Sequence, residues 1–151
     1  MSGARALIEK LALVPHPEGG WYRETWRANA ADGKRAAATA IHFLLEAHQR
    51  SHWHRVDAAE IWLWHAGDPL LLSLAEGDNG PVREVALGGD ALAGEQVQAV
   101  VEAGHWQAAA PLPGNAGYTL VSCVVAPAFE FAGFTLAPPG WRPEPGSDPV
   151  D

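Results

Sequence analysis

An all-β domain, a sandwich or closed barrel, is the fold class that these 151 residues predict, and three observations carry that expectation. Short apolar runs rich in Val, Leu, Ile, Trp and Tyr recur at near-regular spacing, each bounded by Gly, Pro or Asp, which is strand-and-turn patterning. No long helical window separates them, as the crossovers of a parallel βαβ sheet would require. Hydrophobic residues make up 48 % of the chain and charged residues 19 %, so one sizeable core is expected and wholesale disorder is excluded.

The elements follow in chain order. Leu7, Ile8 and Leu11 fall on one helical stripe, Ser2 is a cap, and Pro15 and Pro17 terminate, so residues 3–13 read as a short amphipathic helix. Gly19 and Gly20 permit a tight entry into an alternating run from Trp21 to Arg27. In that run Trp21, Arg23 and Thr25 share one face and Tyr22, Glu24 and Trp26 the other. Asp32-Gly33 marks a turn, and Ala37–Leu45 is the next strand. Further strands are read at Glu60–Trp64, Pro69–Ala75, Val82–Leu87, Glu95–Val101, His105–Ala109, Tyr118–Val125 and Phe129–Thr135. Closure into a barrel would hide the sheet edges. Five prolines fall among Ala137 to Asp151, so residues 1–137 are expected to form a single domain and 138–151 an irregular, mobile Pro-rich tail.

Ten basic against eighteen acidic residues give a net charge of −8, which disfavours nucleic acid and anionic membranes as partners. Arg5, Glu9 and Lys10 interrupt the N-terminal apolar residues, so neither a signal peptide nor a membrane span is read there. Cys123 is the only cysteine, which removes any internal disulfide and suits a reducing compartment. The expected location is the cytoplasm. Cys123 itself lies in the apolar run Leu120–Val125 and reads as a small buried hydrophobe.

The densest polar constellation is Ser51-His52-Trp53-His54, followed by Glu60 and Gly67. On an extended segment His52 and His54 point the same way. A neighbouring strand could bring Glu60 onto the same interior, forming the two-nitrogen, one-oxygen arrangement that binds Fe(II), Mn(II), Ni(II) or Zn(II). The bland alternative is a polar lining that holds shape or grips a ligand without metal. Without metal, His52 or His54 steered by Glu60 would accept a proton and Tyr118 or another acid would return one. Trp62 and Trp64 share the face of Glu60 and read either as core or as walls for a ligand. Glu18 reads evenly as turn geometry or as a residue at the pocket mouth. His16 and His42 read as turn and wall residues, and His48 and His65 as surface or edge.

The spacing His52-x-His54, five residues, Glu60, six residues, Gly67 resembles the first motif of the cupin superfamily. The segments His16-Pro-Glu-Gly-Gly-Trp-Tyr-Arg-Glu-Thr25, Ser51-His-Trp-His-Arg-Val-Asp57, Glu60-Ile-Trp-Leu-Trp64, Ala66-Gly-Asp-Pro-Leu70, Val100-Val-Glu-Ala-Gly-His-Trp-Gln107 and Val125-Ala-Pro-Ala-Phe-Glu-Phe131 resemble the DUF985 (cupin 5) family over about residues 6–136. The resemblance implies a cupin double-stranded β-helix, or jelly-roll barrel, with a short N-terminal helix.

The resemblance also has implications for the site. The second cupin motif usually supplies a third histidine, and here Gln107 stands in its place, with Glu102 for the motif's proline. An amide oxygen is the weaker ligand for a soft metal, so the implied set His52, His54, Glu60 and Gln107 is an incomplete divalent-metal site, with His105 a substitute nitrogen. Glu18 to Thr25 is similar to the entry segment of the metal-free deoxysugar-nucleotide 3,5-epimerases, which makes Arg23 an expected anion or phosphate contact. The leading expectation is a small-molecule cupin doing acid–base epimerase or isomerase chemistry through His54, Glu60 and Tyr118, with Arg23, Trp62, Trp64 and Glu18 against a carbohydrate-like substrate. A metal-dependent isomerase, lyase or dioxygenase and a non-catalytic binding or sensing module are the alternatives. Cupins of this type commonly pair as homodimers through N-terminal strands, which implies an interface at Trp21–Arg27.

Overall fold

The computed structural model describes residues 2–151; Met1, the first residue of the expected domain, lies outside them. Helix α1 spans Gly3–Lys10, and the Ser2 hydroxyl caps it by accepting the Arg5 N–H at 3.2 Å. Its buried stripe, Ala4 and Ile8, packs with Leu13 and Leu44. The helix ends earlier than the apolar stripe predicts because Ala12 adopts a left-handed φ of 54°, which a continuing α-helix cannot accommodate.

Eleven strands follow: β1 Val14–Pro15, β2 Trp21–Arg27, β3 Thr39–Glu46, β4 Ser51–Val56, β5 Ala59–Gly67, β6 Leu70–Ala75, β7 Arg83–Leu87, β8 Gln98–Val101, β9 Trp106–Pro111, β10 Tyr118–Ala126 and β11 Phe134–Leu136. They form a six-stranded sheet in the order β1-β2-β3-β10-β5-β8 and a five-stranded sheet in the order β11-β4-β9-β6-β7. Strands adjacent in either sheet run antiparallel. The fold is thus the mostly-β, two-sheet architecture expected, with its short N-terminal helix.

Alternation sets the interior. Along β10, Thr119, Val121, Cys123 and Val125 are buried while the residues between them are not, which is the period-two signature of a strand with one face inward. Phe43, Leu45, Trp62 and Val121 from one sheet interdigitate with Leu70, Leu72, Leu74 and Leu87 from the other.

Three segments differ from the sequence expectation. Phe129–Thr135 is not one strand: a 3₁₀ turn over Phe131–Gly133 precedes β11. The Gly133 backbone lies against the Asp57 carboxylate so closely that any side chain there would overlap it, and its carbonyl accepts the Asp57 N–H at 3.1 Å. Strand β8 begins at Gln98, because Gln96 bonds to the end of β7 instead, its N–H to the Ala86 carbonyl and its carbonyl to the Gly88 N–H, each at 2.8 Å, after an Asp90-capped 3₁₀ turn at Ala91–Ala93. The tail past Ala137 has no regular element, as its prolines predict, but it is tied down. Trp141 packs at a tilt against Trp106 with ring centroids 4.6 Å apart, Arg55 donates to the Val150 carbonyl at 2.7 Å, and the Glu144 N–H reaches the Asp78 carbonyl at 3.1 Å.

Candidate functional site

One end of the barrel interior is not filled by side chains. It opens into a cavity of about 360 Å³ bordered by His16, Glu18, Tyr22, His54 and Glu60 on its polar side and by Phe129, Phe131 and Phe134 on its aromatic side. That volume lies in the range of small-molecule sites.

Strand β4 delivers His54, though not in the way simple alternation predicts. Ser51 pairs with Ala109 and His54 with Gln107, so three steps on β4 oppose two on β9, which is a β-bulge. The extra residue rotates the strand between them. Ser51, His54 and Val56 therefore point inward, while the His52 ring sits on the outer side, 3.0 Å from the Pro138 carbonyl. The two imidazoles expected to converge are held apart by this bulge.

His54 is 2 % exposed, and both of its ring nitrogens are engaged. Nδ1 lies 2.7 Å from the His52 carbonyl and Nε2 lies 2.8 Å from Glu18 Oε2. A ring facing a carbonyl and a carboxylate donates from both nitrogens, so the geometry selects the imidazolium. Burial alone would lower its pKa. The Glu18 carboxylate outweighs burial, with help from Glu60 and the His52 carbonyl, and pushes it up to about 9. Glu18 comes from the β1–β2 loop, where Gly19 (φ 110°) lets the chain pass directly over the Arg50 carbonyl. Burial would raise the Glu18 carboxyl, but the adjacent His54 charge and hydrogen bond hold it below its ordinary value. The buried Ser51 hydroxyl lies close enough to favour that charge, yet without a hydrogen-bond partner of its own.

Glu60 behaves in the opposite sense. Burial raises its carboxyl, and Glu18 adds to that, against the opposing pull of His54 and of Gln107. Gln107, 1 % exposed, takes the Trp62 indole N–H on Oε1 at 2.8 Å and donates from Nε2 to Glu60 Oε1 at 2.8 Å. Each amide end is thus spent. Cys123 lies beside Glu60, where burial and that carboxyl raise its thiol well above the usual range, as befits the buried hydrophobe expected from its sequence context.

His16, read from sequence as a turn residue, borders the cavity. Its Nδ1 accepts the Glu18 N–H at 3.0 Å, and its ring meets Tyr22 edge-on at 4.4 Å. Burial lowers its pKa despite Glu18, so this ring is the neutral one, protonated on Nε2.

Among the other expected site residues, Glu18 and Glu60 do converge with His54, while four lie outside the cavity. Tyr118 faces away from the cavity and packs under α1 against Gly3. Arg23 is exposed on β2, opposite His42. Alternation turns Arg23 out while Tyr22 and Glu24 face the cavity, and a second bulge, between Glu24 and Trp26, brings Arg27 there while Trp26 points out, 54 % exposed. Trp62 and Trp64 do share the face of Glu60, but the cavity stops short of both. Trp62 is 1 % exposed core, and Trp64 packs against Gly89 and donates to the Asp68 carbonyl. On the outer face, His42 and His65 share the Ser122 hydroxyl at 3.4 and 2.7 Å. Sequence reasoning misses Tyr22, Arg27 and Phe131 as site residues. The alternation of β2 places Tyr22 on the face of Glu24, whereas the β2 bulge decides Arg27 and the 3₁₀ turn decides Phe131.

The donor set does not fit a divalent metal. His52 is turned outward, both nitrogens of His54 are donors, and Gln107 is committed to Trp62 and Glu60. Among the described residues no group of three His, Cys, Asp or Glu side chains is placed to hold an ion.

Comparison with known proteins fits this architecture. The model of the family described as cupin superfamily (DUF985) matches residues 5–137. A hypothetical protein from Leishmania major is 35 % identical, with a TM-score of 0.81 over 91 % of this chain and 88 % of that one. A Shewanella oneidensis protein is 37 % identical, with a TM-score of 0.82 over 91 % and 85 %. Oxalate decarboxylase from Bacillus subtilis shares the fold alone, at 10 % identity and a TM-score of 0.58 over 81 % of this chain and 29 % of that one. No curated protein matches. The two-sheet barrel, the family match across its whole length and the two relatives above 30 % identity place the chain in the cupin superfamily, as a member of its DUF985 family.

Proposed function

We propose that the barrel is an acid–base enzyme of the epimerase or isomerase type, acting on a small polar molecule that carries an acidic C–H beside a carbonyl. The observation that supports this reading is one buried imidazolium between two carboxyls pushed in opposite directions, Glu18 down and Glu60 up. Carboxyls driven apart by their surroundings are the usual way a site assigns its acid and base roles.

In this reading Glu60 is the proton-transfer group. A carboxylate whose pKa is raised by burial is a stronger base than an exposed one. It removes the C–H proton, and the electron pair moves onto the carbonyl oxygen. The His54 charge stabilises the enolate, and Glu18 keeps that charge in place. His54 starts protonated, so it supplies charge and does not serve as the base. The proton returns to carbon from Glu60 or, on the opposite face, from Tyr22, the phenol that borders the cavity in place of Tyr118. Gln107 orients the Glu60 carboxyl from behind.

Deuterium exchange tests this across a range of candidate substrates at once. The protein is incubated in D₂O with a panel of hydroxyketones, aldoses and their amino-substituted analogues, and C–H loss is followed by proton NMR. Exchange above the protein-free rate is expected for at least one compound, falling about 100-fold or more in Glu60→Gln. Exchange that is undiminished in Glu60→Gln, or absent throughout the panel, overturns the assignment and favours a binding or sensing module.

A further inference from the structure

We propose that the ligand of this cavity carries a positively charged nitrogen, a protonated or alkylated amine, held at the mouth by the aromatic wall and the surrounding carboxylates. The inference rests on the small-molecule reading above and adds the charge class of the ligand.

Four carboxyl groups border the cavity, Glu18, Glu24, Glu60 and Glu130, against two cationic side chains, His54 and Arg27. Neither cation has a hydrogen-bond donor left uncommitted for an anionic ligand to grip. His54 spends its two donors on Glu18 and the His52 carbonyl. Arg27 grips Glu24 with two nitrogens, at 2.7 and 3.3 Å, and also donates to the Phe129 carbonyl at 2.9 Å. The rim carboxylate of Glu130 is less satisfied: its neighbour Arg35 lies 3.8 Å away and already makes two shorter bonds to Asp57. A cavity walled in low-dielectric protein focuses such an excess of one sign onto whatever enters.

The second observation is aromatic. Phe129, Phe131 and Phe134 border the cavity as an edge-to-face cluster, with centroids 4.9, 5.8 and 6.0 Å apart. Phe131 is carried out on the 3₁₀ turn and stays 53 % exposed. An exposed phenyl ring at a pocket mouth buries little in the free protein and gains most when a ligand covers it. Ring faces carry negative charge density and attract ammonium groups. Rings and carboxylates together discriminate by charge in one direction, against phosphates and carboxylic acids.

Three probes of one shape separate the possibilities: benzylammonium, benzyl alcohol and benzoate, with affinities measured by calorimetry at pH 7. Benzylammonium is expected to bind about tenfold more tightly than the alcohol, with benzoate weakest, and Phe131→Ala is expected to weaken benzylammonium about fivefold while changing the alcohol less. Phe131 is exposed, so this variant should fold normally. Benzoate binding as tightly as benzylammonium, equal or undetectable binding of all three, or equal losses of ammonium and alcohol in Phe131→Ala overturns the proposal. None of the probes has an acidic C–H beside a carbonyl. Failure of the proton-transfer reading therefore leaves this result standing, and a wrong charge preference leaves the exchange assay untouched.

Discussion

The two ends of the barrel interior are built from the same strands and hold together by opposite means. Strand β5 supplies both: Glu60 faces the cavity, and Trp62, two residues on, is sealed in the core. At the Trp62 end, Phe43, Leu70, Leu72 and Leu87 are each 1 % exposed or less and make no polar demands. At the Glu60 end, Glu18, His54 and Glu60 are also buried, and every one of them has a partner. Gln107 joins the two ends, taking the Trp62 N–H and giving its own to Glu60. Alternation decides only which residues face inward; packing makes one end stable, and a closed set of charge partners makes the other tolerable.

Breaking each end in turn should give losses of similar size and different character. Glu18→Gln leaves the His54 charge buried without its main counter-ion and is expected to cost about 3–5 kcal/mol. It should also release the His54 pKa downward from about 9, since burial then dominates. Leu72→Ala, at the dry end, is expected to cost about 2–5 kcal/mol through lost contact and a residual cavity, with the His54 titration unmoved. Urea midpoints and the His54 ring signals in NMR read both quantities. A Leu72→Ala variant that moved the His54 titration would mean that the ends are coupled through Gln107, which breaks the comparison.

The same division predicts how stability follows pH. His54 has its ordinary pKa of 6.5 in the unfolded chain and is raised to about 9 in the fold. Its contribution is fully present below pH 6.5 and is lost as pH rises through 9. The loss over that interval is about 3 kcal/mol at most. Glu18, lowered in the fold, acts at the other end of the scale: its contribution is present above its ordinary 4.5 and is lost as pH falls through the folded value. Urea unfolding at pH 6 and pH 9.5 should therefore show lower stability at the higher pH. Leu72→Ala should lower the whole curve without changing that difference. A wild-type curve flat from pH 6 to 9.5 would show that His54 is not held charged by Glu18.

Much of this is legible in the sequence, because period-two alternation is a local property. It places Glu60 and Trp62 inward together, and the Gly- and Pro-bounded runs mark nine of the eleven strands in whole or in part. The rest depends on events that alternation does not encode. One extra residue in β4 separates His52 from His54, and one in β2 exchanges positions near Trp26 and Arg27. Tyr118 reads from sequence as the acid of the site, yet the register of β10 against β3 leaves it under α1. Glu18, balanced between turn and pocket, is decided by the path of a loop over Arg50. Phe131 is a mouth residue because a 3₁₀ turn carries it out, at a point where only a glycine at 133 clears the Asp57 carboxylate.

The β2 bulge offers the finest test, since Arg23 and Arg27 are identical side chains on one short strand and differ only in the face they occupy. Arg23 is exposed and outside the cavity, so Arg23→Ala should change stability by less than about 0.5 kcal/mol. Arg27 pairs with Glu24 at a half-exposed site, where such pairs contribute about 0–1 kcal/mol, so its removal should be nearly as mild. The contrast lies in binding. Arg27→Ala removes one of two cations at the cavity and frees Glu24, so benzylammonium should bind about two- to threefold more tightly, while Arg23→Ala should leave its affinity unchanged. Benzoate supplies the control: an arginine that served to grip an anion would, when removed, abolish benzoate binding. Tighter benzylammonium binding in Arg27→Ala alone ties the charge of the cavity to the residue that the bulge turns inward.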